Sequence, residues 1–206
     1  MPGNVSSAVS AGIFGKLPTR GDFVRSGLPR DFVDRWDTWL SGVMAATREQ
    51  AGDAWLPAFL EAPIWRFTLP AGLCGTGAVL GLMMPSVDRA GRYFPLTLAA
   101  VGAVPRFAID AAAEAWLDRC EVAGLAALEK DEGPEDIMAR LGVPDLTAGD
   151  GSIRVSEWWT DGSPRVTAGR VTAADLPSPA TYAAMLGTAS DAEHLVKARQ
   201  VINPLE

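Results

Sequence analysis

Residues 62–97 read APIWRFTLPAGLCGTGAVLGLMMPSVDRAGRYFPLT, two apolar runs around a turn followed by a short charged connection. Residues 64–69 and 77–84 have the length and composition of buried strands, and residues 70–75 supply the turn between them. Residues 94–104 form a third candidate strand, apolar on both faces except at Thr97, the pattern of a strand in the middle of a sheet. Three such strands need cover on both faces of the sheet they form. The connection Pro85-Ser86-Val87-Asp88-Arg89-Ala90-Gly91-Arg92-Tyr93-Phe94-Pro95 carries charge between core elements. Its ions must pair or point outward, because burying one alone costs on the order of several kcal/mol.

Helical spacing supplies the cover. Pro29 suits a first helical position and Asp31 the first turn, and Phe32, Trp36, Trp39, Leu40 and Val43 follow at three- and four-residue steps. Residues 53–61 read as a shorter helix with Trp55, Phe59 and Leu60 inward. The clearest helix spans 110–130, with Ala113, Trp116, Leu117, Cys120, Ala123, Leu125, Ala127 and Leu128 inside. Asp110, Glu114, Asp118, Glu121 and Glu129 are expected to stay wet. Short helices are predicted over 135–141 and 178–186, and a first strand over 11–17. Residues 152–160 and 165–171 flank Asp161-Gly162-Ser163-Pro164, a hairpin signal, although Glu157 falls on the apolar phase. Strands and helices interleave without a strict βαβ rhythm. The expected fold is α/β, a mixed sheet with helices on both faces.

The 206 residues, 48% apolar and 21% charged, suit one domain over 11–206 behind a flexible stretch at 1–10. Of the net charge of −7, residues 1–103 contribute +1 and residues 104–206 contribute −8. That acidity disfavours nucleic acid, whose binding needs clustered cations to release counterions, and suits a basic partner or simple solubility. Residues 1–10 have neither a basic residue nor an apolar core of secretory-leader type, and no apolar run is long enough to span a bilayer. A cytoplasmic protein with no membrane insertion is the expectation, its two cysteines Cys74 and Cys120 reduced and packed.

Candidate chemistry is sparse. Gly12-Ile13-Phe14-Gly15-Lys16 invites comparison with a phosphate loop, but Ser10 stands where the first glycine belongs and Leu17 where a Ser or Thr must follow the lysine. One histidine, His194, and two distant cysteines do not make a zinc site. Arg20-Gly21-Asp22 reads as a turn. Trp158 and Trp159, adjacent on a strand, point to opposite faces, so one is available to a partner or both are buried. The remaining constellation is Arg20, Asp22, Arg66, Asp88, Arg89 and Arg92. Asp88 can brace its turn by pairing with Arg89 or Arg92, while a free arginine can take a carboxylate or phosphate in a bidentate grip.

Longer motifs carry a resemblance. These are Gly12-Ile13-Phe14-Gly15-Lys16-Leu17-Pro18-Thr19-Arg20-Gly21-Asp22-Phe23-Val24, Leu28-Pro29, Trp36-Asp37-Thr38-Trp39-Leu40, Ala62-Pro63-Ile64-Trp65-Arg66-Phe67, Pro85 to Arg89, and Gly91 to Thr97. Together they resemble the TagF family, type VI secretion-associated proteins of Gram-negative bacteria. The likeness runs from Gly12 to Thr97 and, more loosely, through Ser156-Glu157-Trp158-Trp159. It implies a three-layer α/β/α sandwich and a cytosolic, non-enzymatic protein. Such a protein would repress secretion post-translationally by engaging the forkhead-associated scaffold protein, with no cofactor and no catalytic residues. Arg20, Asp22, Arg66, Asp88, Arg89, Arg92 and Trp158 are then the expected partner- or ligand-binding residues. The alternative is an enzyme handling a small molecule or phosphopeptide in an Asp/Arg pocket.

Overall fold

Strands β1 (Ser10–Gly15) and β2 (Val24–Ser26) precede a long helix α1 (Arg30–Ala51), a 3-10 turn and a short helix α2 (Trp55–Leu60). Three consecutive strands follow, β3 (Trp65–Leu69), β4 (Ala78–Met84) and β5 (Leu96–Gly102). Helices α3 (Ala111–Glu129) and α4 (Pro134–Leu141), the hairpin β6 (Ser156–Gly162) and β7 (Thr167–Ala173), and helix α5 (Pro179–Leu186) complete the chain. This computed structural model describes residues 9–130 and 132–188. His194 lies outside them, as does most of the stretch 1–10; within that stretch, Ser10 already belongs to β1.

The strands join in one seven-stranded sheet, ordered β2-β1-β5-β4-β3-β6-β7. The α/β class holds, but the expected mixed sheet is corrected, since every pairing in it is antiparallel. Four of the pairs are hairpin neighbours in the chain, and each helical crossover returns beside a strand running the other way. Helices between strands do not by themselves make a parallel sheet.

Both faces are covered. On one, Phe32, Trp36 and Leu40 of α1, Phe59 of α2 and Tyr182 of α5 meet Phe67, Val79 and Trp158 of the sheet. On the other, Trp116, Leu117 and Cys120 of α3 and Ile137 of α4 meet Ile13, Leu80, Leu82 and Leu98. Strands β4 and β5 are buried at every residue. Thr97, the polar exception in β5, accepts a hydrogen bond from the Trp36 indole N–H at 2.9 Å inside the core.

Local chemistry sets the boundaries. Pro29 caps α1 in extended conformation and does not begin it. Asp110 caps α3 by accepting the N–H groups of Ala112 and Ala113. The Ala113 N–H, followed by the Thr147 hydroxyl, holds the Asp110 carboxyl below its usual range. Glu157 sits on the apolar phase of β6 because buried Arg106 pairs with it and also donates to the Val155 carbonyl at 2.8 Å. Leu60 and Leu125, expected inside, are exposed. β2 has no counterpart in the predicted strands. It lies so close that a side chain at Gly12 of β1 would meet the Ser26 carbonyl at 2.1 Å.

Candidate functional site

Lys16 and Asp88 tie two loops together at one end of the sheet. Lys16 follows β1 directly, and the Lys16 ammonium lies 2.7 Å from Asp88 Oδ2 with both side chains buried. Arg92 Nε donates to the same oxygen at 2.7 Å, while Asp88 Oδ1 accepts the N–H groups of Ala90 and Arg92 at 2.9 Å. Burial alone would raise the pKa of Asp88. The Lys16 and Arg92 donors outweigh it and hold the carboxyl well below the usual range. The Ser86 hydroxyl donates to the Lys16 carbonyl, Arg89 N–H to the Arg20 carbonyl, and the Arg92 guanidinium to the Gly21 carbonyl. The loop after β1 and the loop after β4 therefore behave as one unit.

That unit presents Arg20, Asp22, Phe23, Arg25, Arg89 and Arg92 outward. Phe23 is 47% exposed although it stacks on Phe14 at 5.6 Å and meets Phe94 edge-on at 4.8 Å. Lys16 lies 5.1 Å from its ring centre. Arg20 reaches Glu135 of α4 at 3.3 Å, and Arg92 comes within 4.0 Å of Asp22. A recess of about 490 Å³ opens beside them, between residues 20–26 and Pro134, Glu135 and Met138.

Five of the seven expected site residues thus meet in one place: Arg20, Asp22, Asp88, Arg89 and Arg92. Arg66 is elsewhere. It projects from β3 toward α3, where Glu114, Asp118 and Glu121 accept from it at 2.7–3.0 Å. Burial disfavours its charge, but Glu121 and Asp118 overcompensate and hold its proton more tightly than usual. Three carboxylates expected to face only water therefore hold one cation. A second recess, of about 270 Å³, lies between Arg66, Glu114 and Glu121 on one side and Trp159, Asp161 and Arg170 on the other. Trp158 is corrected outright: it is fully buried, stacked on Trp36 and tilted against Phe67, and unavailable to a partner.

Lys16, Phe23, Arg25 and Glu135 join the cluster without having been singled out as site residues. Lys16 was weighed only as a phosphate-loop lysine. Its place at the end of an apolar strand, where a buried cation needs an acid, was the available signal. Glu135 meets Arg20 across more than a hundred residues and leaves no local trace. Among the described residues no group of His, Cys, Asp and Glu is arranged to hold a metal ion, and no helix is long and apolar enough to cross a membrane.

The protein is a two-faced α/β sandwich whose charged loops gather at one end, and its relatives are secretion-associated. The TagF N-terminal domain, type VI secretion system-associated, matches residues 12–142, and the chain belongs to that family. It is also similar to the crystal structure of PA0076 from Pseudomonas aeruginosa PAO1, with 32% identity and a TM-score of 0.75 over 97% of this chain and 98% of that one. A comparison with curated proteins gives no match.

Proposed function

We propose that this chain is a non-catalytic, post-translational repressor of type VI secretion that works in the cytoplasm by binding the forkhead-associated scaffold protein. The observation that supports binding over bond-making is the state of Asp88. The acid most deeply set in the loop cluster already accepts four hydrogen bonds, two on each oxygen, and has no lone pair directed at a substrate. Asp22 and Glu135, the other acids of the cluster, are exposed and lie against Arg92 and Arg20. The cluster offers shape and charge.

The test pairs biochemistry with genetics. The purified chain should retain the forkhead-associated protein of the same organism on a column. Deleting the gene should raise secretion without changing the amount of secretion apparatus. No retention together with unchanged secretion removes the proposal. Turnover of a phosphopeptide by the purified chain would move the function to an enzyme.

A further inference from the structure

β2 is the outermost strand on its side of the sheet and, among the described residues, pairs with β1 alone. Its other edge borders the recess of about 490 Å³, whose wall includes every residue from 20 to 26. Neighbouring residues of a strand point to opposite faces. Here Val24 is buried with the α3 and α4 core, whereas Phe23 packs on Phe14 and Phe94 of the opposite face. A recess lined by consecutive residues of both faces runs along the strand's open edge. Pro134, Glu135 and Met138 form its far wall. An unpaired edge beside a trough is the geometry for strand addition, in which an incoming extended segment supplies the missing backbone partners.

Charge selects the segment. Arg20, Arg25, Arg89 and Arg92 are exposed around this end against Asp22, Asp34 and Glu135, Asp34 lying 3.9 Å from Arg25, on a chain whose net charge is −7. Arg89 has no ion pair among the described residues. Phe23 adds an exposed apolar ring beside the cations. We propose that the open edge of β2 receives an extended acidic segment of a protein partner, which adds a strand to the sheet. Its carboxylates meet Arg25 and Arg89 and an apolar side chain rests on Phe23. This names the docking face for the binding function proposed above and rests on that reading.

Two probes separate the face from the function: the purified forkhead-associated protein, and a fluorescein-labelled peptide of alternating Glu and Val. Each is titrated against the wild type, the double variant Arg25→Glu/Arg89→Glu, Phe23→Ser, and the control Arg154→Glu, an exposed residue outside the recess. Thermal unfolding verifies that each variant is folded. The double charge reversal should weaken binding by about tenfold or more. Phe23→Ser should weaken it too, Arg154→Glu should not, and amides of Val24–Ser26 should gain hydrogen-exchange protection in the complex. A scaffold protein that ignores the wild type while the peptide binds with this variant pattern would refute the functional reading and leave the docking face standing. Scaffold binding unchanged by the reversals, protection appearing on β7 and not β2, or neither probe binding the wild type would overturn the proposal.

Discussion

Trp36 and Thr97 allow a quantitative test of how the core was assembled. The indole N–H donates to the Thr97 hydroxyl at 2.9 Å with both residues fully buried, and the indole also stacks on Phe67 at 4.7 Å. Thr97→Val keeps the shape but leaves the indole donor without an acceptor, a loss of about 1–3 kcal/mol. Trp36→Phe strands the hydroxyl and opens space beneath α1; the loss is about 2–4 kcal/mol, below the full cost of truncating a core tryptophan to alanine. In the Trp36→Phe background, Thr97→Val removes a hydroxyl that already lacks its partner and should be nearly neutral or stabilising. The coupling is therefore about 1–3 kcal/mol, or roughly 2–12 °C in Tm for a chain of this size. Urea unfolding followed by far-ultraviolet circular dichroism is the appropriate assay, because removing one of 7 tryptophans alters the fluorescence reference. If Thr97→Val costs the same in both backgrounds, the bond does not hold the strand to the helix and the reasoning fails.

Two further outcomes follow from the charges and thiols. Asp88 is held below the usual carboxylate range in the folded chain, so the unfolded chain takes up its proton first as the pH falls. The stabilisation is complete above about pH 4 and lost below it; Asp88→Asn should be less stable at neutral pH and lose less on acidification, as read by thermal melts across pH. Burial pushes the Cys74 thiol up to about 12 and raises Cys120 as well, so Ellman's reagent at pH 8 should find no reactive thiol until denaturant is added. Rapid reaction of the native protein would show that one of the two is accessible.

Local patterns made the sheet and the main helices readable in advance. α3 was marked by its apolar stripe from Ala113 to Leu128, and β3, β4 and β5 by their apolar content. β2 escaped because it has only three residues, between a turn and Gly27-Leu28-Pro29, and is a strand only through its pairing with β1. The antiparallel order was hidden for a similar reason, since direction is settled by where the crossovers return. Periodicity also misplaced Leu60 and Leu125, which lie at the margins of their helices' inner stripes.

The candidate site was half readable. Asp88 and Arg92 could be paired from their spacing of four residues within one turn. Lys16, the partner that makes the pair a buried one, arrives from the loop after β1. Arg66 and Trp158 stand apart from the cluster because their partners are distant in the chain: the acids of α3 for the first, the ring of Trp36 for the second. A side chain's exposure is a property of the assembled layers, and single-sequence reasoning meets its limit there.

β1 lies between its neighbour β2 and β5, so Ser10 pairs with Val101 while β3, β4 and β5 join through short connections. Loop-closure entropy then favours the central meander as the part that forms first, with the earliest strand of the chain docking onto it afterwards. On a ribosome, residues 10–15 can meet only β2 until residues 96–102 have emerged. The β2 edge is thus anchored to the sheet only after the sheet's middle exists.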